Sequence, residues 1–417
     1  MTDPPESRHS RGAGSTSPRP SPSLWRRGFV ALLCFWLVVP LLLKGEFAQD
    51  ALPFVVAGDL AERDPASVYS VPERSIFDVN ENFRARLCNE LVPDEPTCHR
   101  LAVPFVSTPL VLPLARLAAA LGADGGSLLL RLLAAVSLAG GMELLWRKRA
   151  ASWSGAQPVM FLLAFMITPY AVFTLAFGQT SPWMFAAACA GLGGRDRRFT
   201  VLAAGLWVAN IAARGFPALL VALPVRLRHW RPVGYAAVWG AAVVAVAALT
   251  IPGETIQPFI ASSRTLANHS YGNPYNVSFA NLLHTFIPSL GPGALVGAGI
   301  VGAFAIAVGS WLGPVARLDA DAQWATAWLV LLVAVPLVWW HYGWLMIPPL
   351  VLALGPGTPQ RAWAVVVCAV GGLTSLLAGV NGTAGGQIVQ SLALLLAIAA
   401  VVWLSTHAGQ SRAQLAS

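Results

Sequence analysis

The sequence predicts an all-α integral membrane protein: a bundle of about twelve transmembrane helices with a large first extracytoplasmic loop. Three observations lead there. Of the 417 residues, 56% are hydrophobic and 11% charged, and mean hydropathy is +0.62, outside the range of soluble globular domains. Apolar stretches of near-spanning length recur at 28–43, 127–146, 156–176, 232–252, 292–313, 322–340, 363–380 and 386–405, and a helix needs about 20 residues to cross ~30 Å of hydrocarbon. Basic residues gather in short clusters between those stretches, which orients them.

Residues 1–24, rich in Pro, Ser, Gly and Arg, read as a disordered cytoplasmic tail. The membrane domain follows over 25–405. No A-x-A-like cleavage site follows the run 28–43, so it is expected to remain as a signal anchor. Arg26-Arg27, "RKR" 147–149, "RDRR" 195–198, "RLRHWR" 226–231, Arg317, Arg361 and Arg412 are placed in the cytoplasm. An even number of crossings then separates successive clusters, which pairs the short segments 181–194, 199–213 and 215–225 into out-and-back helices. Segment 104–121 would break the count if it crossed, and is expected to be re-entrant or interfacial. The result is a multi-pass plasma-membrane protein with both termini cytoplasmic. Its first outer loop is 45–103, its second 253–290, and 406–417 is a cytoplasmic tail. The net charge of +8, from 27 basic and 19 acidic residues, belongs to these basic loops and gives no reason to expect nucleic acid.

The ionisable and polar residues hardest to explain by solvation fall at the outer side: Asp50, Asp59, Gln179, Arg214, the 253–284 loop, His341 and Asn381. Such groups at a membrane mouth are costly and mark function by default, so one extracytoplasmic site is expected. Asp50 lies seven residues beyond the end of the first apolar run. Asp59 and Asp64 are expected to be solvated, with Asp59 a reserve base. The "DAD" at 319–321 is expected to be solvated in a cytoplasmic linker. Cys88 and Cys98, in an outer loop, suggest a disulfide, whereas Cys34, Cys189 and Cys368 sit in apolar runs as packing residues. No Cys/His spacing resembles a zinc site, and no metal is expected.

Six stretches, in order, carry a resemblance to a known family. These are Asp50 with Phe54, Ala57 and Val68-Tyr69; "STP" 107–109; "FGQTSPW" with Gly178 and Gln179; Arg214-Gly215-Phe216-Pro217; Asn276 and Ser278 before Leu282-Leu283; and Pro336 with Trp339 and His341. Together they resemble the actinobacterial membrane glycosyltransferases of family 87, which have the GT-C fold and are typically mannosyltransferases using polyprenyl-phosphate mannose. Arg stands at 214 where the family has Lys, keeping charge but changing shape. Tyr342 stands where a second His often follows.

The resemblance implies a GT-C-like bundle and an inverting transfer of a hexose from a polyprenyl-phosphate donor to an envelope glycolipid or glycan, with no cofactor. Asp50 would take the acceptor proton. Arg214 would hold the departing phosphate, and His341 would donate to it or orient the acceptor. Gln179, Tyr69, Asn276 and Ser278 would contact hydroxyls or phosphate, and Trp339 would offer a flat face to a sugar. The competing expectation is a transporter or flippase of a lipid-linked envelope precursor, which would spread charged groups along a path through the bilayer.

Overall fold

The computed structural model of the chain describes residues 51–71, 77–91, 103–149, 178–191, 197–313, 318–353 and 385–393, with isolated positions between them. Among the described residues it is helical, with one antiparallel bridge, Asn276 to Trp339. The spans expected at 28–43, 156–176 and 363–380, the end of that at 386–405, and both tails lie largely outside these residues.

The order is α1 (Leu52–Arg63), α2 (Glu81–Arg84), α3 (Leu112–Ala120), α4 (Gly122–Arg149), α5 (Ser181–Ala190), α6 (Arg197–Arg214), α7 (Ala222–Arg226), α8 (Trp230–Thr250), α9 (Ile256–His269), α10 (Phe279–Phe286), α11 (Pro292–Leu312), α12 (Ala320–Ala334) and α13 (Ile347–Ala353). Three described helices are long and apolar enough to cross a membrane: Gly122–Leu145, Trp230–Thr250 and Pro292–Gly309. Helix α8 turns almost its whole surface outward, with Val238, Val244 and Leu249 exposed, as expected of a side that meets lipid. The 322–340 run, by contrast, is not one helix. Pro336 has no N–H to donate and forces the residue before it out of helical geometry. Val335 is accordingly extended (φ −83°, ψ 127°), and α12 stops at Ala334. The chain resumes as a 3-10 segment, Trp340–Met346.

Two hydrophobic cores form. One joins α1, α3 and the segment between them through Phe54, Tyr69, Phe83, Leu87, Phe105 and Leu112, and reaches Trp183 and Ala213. Backbone contact tightens it: a Cβ on Gly58 of α1 would fall 2.0 Å from the Ala115 carbonyl oxygen of α3, so only glycine fits. Cys88 and Cys98 in the same segment are joined by a disulfide. The second core is built on α12, where Trp324 and Trp328 meet edge to face at 5.7 Å and Trp324 meets Trp207 of α6 at 5.6 Å. Lipid gives helices no hydrophobic drive to associate, so such ring geometry and indole hydrogen bonds set the packing. The indole N–H groups of Trp324 and Trp207 donate to the carbonyls of Ala187 and Pro217 at 2.8 and 2.7 Å.

At the arginine-rich end of α4, Lys148 Nζ reaches Asp321 at 2.7 Å and the Ala190 carbonyl at 2.9 Å, joining α4, α12 and α5. Asp319 accepts from the Ala322 N–H at 2.8 Å as the N-cap of α12. The expectation of a solvated "DAD" is therefore corrected for Asp321, a half-buried ion-pair partner, whereas Asp319 is exposed as expected and also caps a helix. Asp59 is corrected likewise. Its side chain is 14% exposed and bound to Arg86 at 2.7 Å and Arg63 at 3.3 Å, because the folded segment after α1 brings Arg86 over it.

Candidate active site

The site residues gather on the seam between the two cores, around the turn Gly178-Gln179-Thr180. Gly178 has φ +68°, a conformation open chiefly to glycine, and donates to the Leu175 carbonyl at 3.3 Å. A Cβ there would lie 2.8 Å from the Ala51 Cβ and 3.5 Å from Cγ of Arg131. The missing side chain therefore lets the residue after Asp50 and the stem of Arg131 both close on the turn. Asp50 itself lies outside the described residues. Gln179 is buried, its carbonyl oxygen 3.5 Å from the hydroxyls of Thr174 and Ser181.

Arg214 closes α6. Gly215, with φ +71°, donates to the Ile211 carbonyl at 2.8 Å and ends the helix there, leaving a cation at the helix's negative end. Its guanidinium donates through Nη2 to Thr180 Oγ1 at 2.7 Å and lies 4.8 Å from the Tyr342 ring centroid, within cation–π range. Residues beside the first of the two cores hold this end of α6 in place. The Thr108 N–H donates to the Ala213 carbonyl at 3.2 Å, and the Thr108 hydroxyl donates to the Ala212 carbonyl. Tyr69, buried, donates to the Ser107 carbonyl at 3.0 Å. Burial pushes its pKa far up, so it stays a donor.

Asn276 and Ser278 occupy a different position from the one expected. Both are fully buried. Asn276 donates to the Ser270 and Pro336 carbonyls at 3.0 and 2.8 Å and accepts from the Ser278 and Val338 N–H groups at 3.0 Å each. Ser278 donates to the Pro336 carbonyl at 2.9 Å and, as N-cap of α10, accepts from the Asn281 N–H at 3.1 Å. Their hydrogen-bonding capacity is spent within the protein. They fix the extended Pro336–Trp339 segment rather than reach a ligand. The carbonyl of Trp339 then accepts from the Tyr342 N–H at 3.0 Å, so the same segment sets the ring on which Arg214 rests. Trp339 also meets Phe77, before α2, at 6.1 Å. His341 lies on the 3-10 segment between Trp339 and Tyr342.

Sequence reasoning gave no role to Thr180, Thr108 or Arg131, although the two threonines lie within the stretches "FGQTSPW" and "STP". Arg131 did carry a signal, as an arginine inside the apolar run 127–146, and the structure buries it to 8% exposure.

Among known proteins, no curated sequence matches. The fold is similar to the crystal structure of ArnT from Cupriavidus metallidurans bound to undecaprenyl phosphate, at 14% identity and a TM-score of 0.45, covering 94% of this chain and 79% of that one. The model of glycosyltransferase family 87 matches residues 104–348 of the 417, more than half of the chain, and takes in five of the six stretches in which Arg214 and its partners lie; the chain belongs to glycosyltransferase family 87.

Proposed function

We propose that the chain is a GT-C-like bundle of about twelve transmembrane helices that transfers mannose from a polyprenyl-phosphate donor to an envelope glycolipid or glycan. The transfer takes place on the extracytoplasmic side. The observation that carries this reading is the seat of Arg214. A cation is held at a helix end by a hydroxyl and a ring face, beside a glycine turn against which the residue following Asp50 packs. Family membership supplies the reaction class, and that seat supplies the group such a reaction needs for its leaving phosphate.

In the proposed step the acceptor oxygen attacks the anomeric carbon as the carbon–oxygen bond to phosphate breaks. The bonding pair stays on the phosphate, and the acceptor proton passes to the Asp50 carboxylate. The sugar inverts, with no covalent intermediate. Base catalysis of this kind contributes about 10²–10⁴ in rate. Arg214 meets the charge that develops on the phosphate. His341 and Trp339 serve the acceptor or the sugar, and Gln179 a hydroxyl. Tyr69, Asn276 and Ser278 act by positioning.

The test is transfer of label from radiolabelled polyprenyl-phosphate mannose to endogenous lipid in membranes with matched expression. Asp50→Asn is expected to abolish the labelled product, and Asp64→Asn, in the same loop, to leave it. Product undiminished in Asp50→Asn would remove the base. Absence of any product above empty membranes would remove the donor.

A further inference from the structure

Helix α9 has three kinds of side. Phe259, Ser262 and Leu266 face the protein: the Phe259 ring lies 5.2 Å from that of Tyr69, Ser262 is 6% exposed and Leu266 is half-buried. Gln257, Arg264 and Asn268 are exposed and polar, and at about 100° per residue they share a second side. Ile256 and Ile260, one turn apart, form a third. They too are open, at 51% and 43% exposure.

The two ends of α9 fix how it lies. Near the starts of α6 and α8, Arg197 donates to the Tyr235 hydroxyl at 3.0 Å, and further along a Cβ on Gly205 would stand 3.2 Å from Trp239 Nε1. The two helices therefore run the same way, and α8 finishes towards the end of the bundle that carries Arg214. There Arg116 donates to the Thr250 carbonyl at 2.7 Å. Two extended residues, Ile251 and Pro252, and a 3-10 turn, Gly253–Thr255, then take the chain out of the line of α8. Beyond α9, the carbonyl of buried Ser270 accepts from Asn276 at 3.0 Å, the residue that also holds the Pro336 carbonyl. Both ends of α9 thus sit at the same end of the bundle, and its 14 residues lie across it.

We propose that α9 is an interfacial helix that docks on anionic lipid. The Ile256–Ile260 strip lies in the boundary between headgroups and acyl chains, and Arg264, one turn beyond Ile260, lies among the phosphates. Continuity along the chain favours lipid as the occupant: Leu249, 87% exposed on the lipid-meeting surface of α8, stands seven residues before Ile256. A helix at that boundary has protein, lipid and water as neighbours, and each side of α9 suits one of them. The surface does not depend on the donor reading. It sets the level of the headgroup layer at the end of the bundle that carries Arg214, with Phe259 seating the helix on the core that steadies α6.

The experiment is site-specific photocrosslinking of the full chain in liposomes of phosphatidylcholine and phosphatidylglycerol in known proportion. The photoreactive residue p-benzoylphenylalanine replaces Ile256, Ile260 or Asn268 in turn, and adducts are identified by mass. Phospholipid adducts are expected at 256 and 260, with about tenfold fewer at 268 on the water side. Adducts to a second copy, or to another segment of the same chain, in place of lipid overturn the proposal. So do equal lipid adducts at all three positions, or none at any. Because Ile256 and Ile260 are both open, either variant carries the test if the other does not fold. With the probe at 260, phosphatidylglycerol is expected to be enriched over its bulk share by up to about fivefold, the worth of one basic residue at an anionic surface. Arg264→Glu is expected to remove that enrichment; an enrichment that is absent at the outset, or unchanged in Arg264→Glu, overturns the preference for anionic lipid.

Discussion

Two regions of this molecule carry residues of the same family pattern and use them in opposite ways. Around Gly178–Thr180, polar groups converge from α4, α6 and the Tyr342 segment onto a glycine turn. Around Asn276–Ser278, the polar groups are buried and bonded to one another and to the Pro336–Val338 backbone. The first region gathers charge at a turn, where the proposed reaction would use it. The second places a segment of chain where the first region needs it, since the Asn276 bridge to Trp339 sets the turn that presents Tyr342 to Arg214. A family pattern can thus mark chemistry or architecture, and only the hydrogen-bond partners tell the two apart.

The comparison can be broken most directly at its two centres. Arg214→Gln is expected to cut transfer by about 10²–10³, the scale of losing one transition-state donor, while the melting temperature in detergent moves little. A melting temperature that fell as far as in the Asn276 variant would show the two regions to be alike. Asn276→Ala leaves the buried carbonyl of Ser270 and the N–H groups of Ser278 and Val338 short of a partner, and takes one donor from the Pro336 carbonyl, which keeps Ser278. Each orphaned group costs about 1–3 kcal/mol, and the yield of folded protein is expected to collapse. Cys88→Ser, in the loop that supports the first core, is expected to lower stability by about 2–4 kcal/mol, read as a lower melting temperature with the oxidised wild type as reference. Tyr69→Phe removes one buried hydrogen bond to Ser107, a loss of about 1 kcal/mol. Activity per folded molecule should remain near wild type, and a drop there would move Tyr69 from the second kind of residue to the first.

Helical membrane character was legible in the sequence because it is additive: every Leu and Val of a span contributes to hydropathy regardless of its neighbours. Family membership was legible because the order of Gly178-Gln179, Arg214 and Pro336-Trp339 survives along the chain. Contacts were not. Asp59 reads as a solvated carboxylate until the segment after α1 folds back and places Arg86 on it, and Asp321 meets Lys148 only through the packing of α12 on α4. The break at Pro336 was written in the residue itself but averaged away within an apolar run. Arg131 was lost the same way, as one charge inside a window that tolerates one.

The Lys148 contact has a mechanical consequence. Gly191, with φ +70°, leaves room for it; a Cβ there would stand 2.2 Å from the ammonium nitrogen. Three helices are therefore pinned to a single point, and tilts of α4 pivot about it. Arg131 lies about 26 Å up the lever from that point, so a rotation of a few degrees, hardly felt at the pin, carries its stem roughly an ångström across Gly178.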